Sequence, residues 1–188
     1  MLKLRKNKKG FTLVELIVVI AIMAVLAGTI AGVTVSQLNK QTNNSAQSEV
    51  NTLMEDFKTF LLDYQLPTGT KTGNTESAPE KIPGTDTDFS MGEDTWDSTN
   101  GISNVGELTY AIMEFAAEAK ETKGLNYDIL TQKPTGQNAT LPKAGTHKFV
   151  FEVVLTSGKL TVTFSCQGKG TNAAAIKAEY TYSDVLGG

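Results

Sequence analysis

Glu15 is the residue whose surroundings most constrain its chemistry. It is the single charged residue in residues 11–35, which read FTLVELIVVIAIMAVLAGTIAGVTV. An ionised carboxylate in such a run costs up to roughly 2.5–3.5 kcal/mol in a bilayer, and less near the interface. It therefore calls for headgroups or a cationic partner. Immediately upstream lie Gly10 and Phe11, and before them a leader with Lys3, Arg5, Lys6, Lys8, Lys9 and no acid.

Other groupings are less specific. Asp86, Asp88, Glu93, Asp94 and Asp97 offer oxygen ligands at calcium-like spacing, but a complete EF-hand loop would need Gly where Met91 stands and Glu where Asp97 stands. The pattern reads first as a solvated acidic loop, with weak calcium binding as the alternative and no other cofactor expected. Gly168-Lys169-Gly170-Thr171 lacks the spacing of a phosphate loop and reads as a turn. Asn43-Asn44-Ser45 and Asn138-Ala139-Thr140 match a glycosylation pattern that arises often by chance. One Cys and one His in 188 residues exclude an internal disulfide and a multi-thiolate zinc site. Cys166 falls on the apolar face of a strand and His147 at a strand start, so a buried thiol and a surface imidazole are expected. No nucleophile, base and oxyanion donor come together, which argues against an enzyme.

The elements that position Glu15 follow from the pattern around it. Residues 16–35 are 20 residues without charge, about 30 Å as a helix, which matches a bilayer core. Five cations precede this span, so the positive-inside rule places residues 1–10 in the cytoplasm and the rest outside. A secretory signal peptide would have a shorter apolar region and a clear small-residue cleavage site; Thr29-Ile30-Ala31 is the nearest approach to one.

At KKG, FTLVE and the apolar run, over residues 8–35, the sequence resembles the type IV pilin family, including its pseudopilin relatives. The resemblance implies that a prepilin peptidase cuts after Gly10 and that Phe11 becomes the N-methylated N-terminus. It also implies that Glu15 faces the Phe11 amine of a neighbouring subunit during filament assembly. The partners implied are that peptidase, further pilin subunits in a helical homopolymer, the assembly machinery and, before assembly, the cytoplasmic membrane. The destination implied is an extracellular pilus serving adhesion, surface motility or biofilm formation. A pseudopilin of a type II secretion or competence DNA-uptake apparatus is the alternative. Many members carry a helix-kinking Pro where this sequence has Gly32, which forms a G-x-x-x-G pair with Gly28.

Beyond residue 35 the helix should continue to about residue 64, because Val50, Leu53, Phe57, Leu61 and Tyr64 make an apolar stripe that Pro67 ends. Residues 66–104 read as loop. A helix is expected over 105–120, with Asn104-x-x-Glu107 as a capping box, Leu108, Ile112, Phe115 and Ala119 on one face, and Gly124 as a stop. Period-two alternation predicts antiparallel strands over 146–183. Phe149, Phe151, Val153 and Leu155 alternate on the first, Leu160, Val162, Phe164 and Cys166 on the second, and Ile176, Ala178, Tyr180 and Tyr182 on the third. The expected fold is α+β: a long N-terminal helix, membrane-spanning in its first half, packed by its second half on a small antiparallel sheet, as in pilins. The expected organisation is a leader (1–10), a membrane or filament-core helix (11–35) and an extracellular head (36–188). Loss of the +5 leader would leave 12 bases against 20 acids, or −8. That disfavours direct nucleic-acid binding.

Overall fold

A computed structural model describes residues 10–73, 75–122, 128–130 and 140–182. The leader cations, Asn138 and Gly124 lie outside the described residues. The chain divides into two compact units, residues 1–40 and 41–188, and helix α1 (Leu13–Asp63) contributes to both. Leu, Ile, Ala and Met favour this helix, and no Pro interrupts it. It runs without a break through Gly28 and Gly32, each of which keeps the N–H that a Pro would remove.

In the second unit the predicted stripe is the buried face of α1. Val50, Leu53, Met54 and Phe57 are buried, and Phe60, Leu61 and Tyr64 are partly so. Phe57 makes an edge contact with Phe164 of the sheet (ring centroids 5.8 Å apart) and a tilted one with Phe115 (5.4 Å). Such aromatic pairs add roughly 0.5–1.5 kcal/mol each beyond the area they bury. Phe115 belongs to α2 (Val105–Thr122), whose Leu108, Ile112, Phe115 and Ala119 all face the same core. At the end of α1, the Tyr64 hydroxyl donates to Glu114 Oε2 of α2 at 2.7 Å. Burial, and then the Glu114 carboxylate, raise the Tyr64 pKa far above the usual phenol range.

Two short strands, β1 (Thr70–Thr72) and β2 (Thr75–Ser77), pair antiparallel. They correct the reading of residues 66–104 as unbroken loop. Their sequences, TKT and TES, bury almost nothing, so no apolar period marks them and pairing rests on the backbone. Gly69 is required beside them: a Cβ there would stand 1.9 Å from the Ser77 carbonyl oxygen.

The main sheet has the order β3-β4-β5-β6. Strands β4 (Lys148–Thr156), β5 (Lys159–Gln167) and β6 (Ala175–Tyr182) form the antiparallel meander read from the sequence. Phe151 pairs with Phe164, and Phe164 with Ala178, so the three predicted faces become one. A two-residue turn joins β4 to β5, with Ser157 and Gly158 both at positive φ (52° and 76°), the conformation that suits the twist of a tight hairpin. Two features differ from expectation. The sheet gains β3 (Asp128–Leu130), which lies parallel to the start of β4. Three residues carry too little pattern to be read as a strand. Leu155 is exposed rather than buried. β3 flanks only Lys148–Val150, so among the described residues β4 is an edge strand by Leu155.

Candidate functional site

Gly10 and Phe11 are exposed and precede the first helical residue. Thr12 caps α1. Its backbone N–H and its hydroxyl donate to Glu15 Oε2 at 2.8 and 2.9 Å, and the Glu15 N–H donates back to Thr12 Oγ1 at 3.3 Å. This is a reciprocal capping box, which satisfies donors that a helix start otherwise leaves free. The carboxylate also lies at the positive end of the helix dipole. Among the described residues Glu15 thus has neutral donors and no cation.

The segment that follows is apolar on every side. An 18-residue window of α1 has a mean hydropathy of 2.8 and none of it is buried. Its hydroxyls are turned inward: Thr29 Oγ1 donates to the Leu26 carbonyl at 3.0 Å and Thr34 Oγ1 to the Ile30 carbonyl at 2.9 Å. Each is satisfied by its own helix, as a lipid-facing hydroxyl must be. By length and composition this helix can cross a membrane.

The five loop acids have separate duties. Asp88 pairs with Lys81, whose Nζ also donates to the Asp86 carbonyl at 3.2 Å. Asp94 Oδ2 accepts from the Gly106 N–H at 2.9 Å, and Glu93 is exposed. The Asp97 carboxylate accepts from the Thr99 N–H and the Asn100 amide, which together hold it below the usual carboxylate range. Among the described residues no three His, Cys, Asp or Glu side chains are grouped to hold a metal ion.

Two other acids organise this region. Glu107 is wholly buried and accepts from the Asp97 N–H (2.8 Å), the Ser103 N–H (2.7 Å) and the Ser103 hydroxyl (2.8 Å). The predicted capping box is half formed: Asn104 Oδ1 accepts from the Glu107 N–H at 2.9 Å, but Glu107 reaches back to Ser103 instead of Asn104. Glu76 of β2 takes the Gly69 N–H, the Ser98 N–H and the Ser98 hydroxyl. Its role was not legible, since an exposed-looking Glu in TES gives no sign of a partner 22 residues away.

The remaining singled-out residues are structural in their contacts. Asn43 of α1 bridges the turn at Lys169, accepting its N–H at 2.7 Å and donating to its carbonyl at 3.1 Å. His147 is exposed, with Nδ1 3.0 Å from Glu49 Oε2. Cys166 is a buried free thiol, raised in pKa by burial and then by the Glu49 charge.

Comparison with family models decides what the N-terminal segment is. The model described as the prokaryotic N-terminal methylation motif matches residues 5–31. The chain carries a type IV prepilin-like leader signature. No curated protein and no solved structure matches the chain. The prepilin-like signature covers the second half of the leader, Gly10, Phe11, the Thr12–Glu15 cap and most of the apolar run. It supports a type IV pilin-like or pseudopilin protein, and so a structural protein instead of an enzyme. It implies cleavage by a prepilin peptidase and assembly with other pilin subunits. Leader and apolar helix together are consistent with membrane insertion as a precursor. The α+β arrangement of long apolar helix and small sheet is pilin-like.

Proposed function

We propose that this chain is the structural subunit of a type IV pilus. A prepilin peptidase removes residues 1–10 by cutting after Gly10, and Phe11 becomes the methylated N-terminus. Residues 11–35 hold the protein in the cytoplasmic membrane, then leave the bilayer and are covered by the same segments of neighbouring subunits. Glu15 selects the register: its carboxylate meets the Phe11 amine of the next subunit, and each charge offsets the cost of burying the other. The observation that carries this reading is the prepilin-like motif joined to an apolar helix whose membrane-length stretch none of the described residues buries. The head, which has its own core, stays outside the membrane. The extracellular filament would serve adhesion, surface motility or biofilm formation.

The test is the composition of filaments sheared from cells that make this protein. Long surface filaments built mainly of this chain support the pilus reading. Short wall-spanning assemblies, with loss of protein secretion or DNA uptake on deletion, would assign the chain to a pseudopilin instead.

A further inference from the structure

The loop leading into α2 holds the single Asn-Gly step of the sequence, Asn100-Gly101. Both residues are exposed. Gly101 has φ +74°, and a side chain built on it would meet nothing within 4 Å. Among the described residues no group accepts a hydrogen bond from the Gly101 N–H. The Asn100 side chain is placed by Asp97, whose Oδ2 accepts from Asn100 Nδ2 at 2.7 Å.

An Asn side-chain carbonyl lies one five-membered ring away from the next peptide nitrogen. Glycine at that next position leaves the nitrogen unshielded and lets the backbone swing into the ring-closing geometry. We infer that Asn100 is a site of spontaneous deamidation. The Gly101 nitrogen gives its proton to solvent base and attacks Asn100 Cγ. A C–N bond forms, the Cγ–Nδ2 bond breaks, and Nδ2 leaves as ammonia to give a succinimide. Water then opens the ring at either carbonyl, leaving aspartate or isoaspartate at position 100. One water is consumed and one ammonia released, and no oxidant or metal takes part.

The surroundings give the change a structural consequence. A carboxylate at position 100 replaces the donor that faces Asp97 with a second acceptor of like charge. Asp97 is already ionised in its turn, because the Thr99 N–H and the Asn100 amide favour the charged form. Repulsion would open the turn at Asp97–Asn100, in the same loop where Ser98 is tied to Glu76 and the Asp97 N–H to Glu107. A long-lived copy of this protein would acquire one more negative charge and a looser loop at this place.

The test uses the full chain in detergent, incubated in mildly alkaline buffer and followed by peptide mass spectrometry with isoaspartate detection. The expected result is an amide-to-acid mass gain at residue 100, as a mixture of aspartate and isoaspartate, and its loss in Asn100→Gln. Asn100→Asp should reproduce a loss of hydrogen-exchange protection at the Thr99 amide. An intact Asn100 in the folded chain, under conditions where a synthetic peptide of residues 94–106 converts, would overturn the inference. So would conversion seen only after denaturation.

Discussion

Thr12 and Glu15 are bound to one another in both directions: two donors of Thr12 converge on Glu15 Oε2, and the Glu15 N–H returns to Thr12 Oγ1. The same carboxylate proposed to meet a neighbour's amine is therefore first an element of its own helix. Among the described residues the partners of Glu15 are neutral, and in the proposed filament the Phe11 amine of a neighbour would supply the cationic one.

Replacing Glu15 with Ala removes both roles. The expected outcome is loss of sheared filaments with the head still folded, since no residue of the second unit's core lies near this end of the sequence. Thr12→Ala should cost about 1 kcal/mol at the helix start and reduce filament yield less than Glu15→Ala does. Normal filaments from the Glu15→Ala protein would refute the proposed pairing.

Glu107 is the most exacting residue of the head. Its carboxylate answers three donors in a fully buried place. Glu107→Ala should destabilise the protein by about 3 kcal/mol, because hydrogen bonds to a charged group are worth roughly 1.5–3 kcal/mol each and the donors left behind are partly rehydrated. For a domain of this size that is a fall in Tm of roughly 6–12 °C. Glu107→Gln, which keeps an acceptor oxygen, should lose less. Thermal unfolding followed by circular dichroism checks both.

What was legible in the sequence follows from where periodicity is strong. The stripe Val50–Leu53–Phe57 and the face Leu108–Ile112–Phe115 repeat at helical spacing, and the inward residues of β5 alternate without exception. Each survives into the structure because burial on one face enforces it. β1 and β2 escaped because TKT and TES bury no apolar face, and β3 because three residues set no period. Leu155 kept the alternation but lost its cover at the sheet edge. Glu15 stands out in the sequence because a lone charge in an apolar run has few explanations, but its cap with Thr12 was not read there. Glu76 was not, because its partners Gly69 and Ser98 are brought to it only by the fold.

Acid should loosen the loop between β1 and α2 before it unfolds the core. Hydrogen bonds from Ser98 and Gly69 depress the Glu76 pKa, and those from Thr99 and Asn100 depress that of Asp97. A depressed folded-state pKa contributes stability that is present above the unfolded value and lost as pH falls through the folded one. The loss should therefore set in below about pH 4. Hydrogen exchange at the Gly69 and Thr99 amides should accelerate there while amides of β5 stay protected. Simultaneous loss of both would contradict this.

Cys166 should be chemically silent in the folded protein. It is buried, and its thiol is pushed up by burial and then by the Glu49 charge, so little reactive thiolate forms. Alkylation should be slow in native buffer and rapid in denaturant. Cys166→Ser should cost about 1–3 kcal/mol, by placing a hydroxyl where a small apolar group fits.

In the proposed maturation residues 1–10 are removed and Phe11 starts the working protein. Mass spectrometry of the chain recovered from membranes and filaments tests this most directly. The expected outcome is an N-terminal peptide beginning at N-methylated Phe11, and a Gly10-substituted chain that stays in the membrane with its leader attached. A mature chain that retains residues 1–10, or one that begins near Ala31, would contradict it.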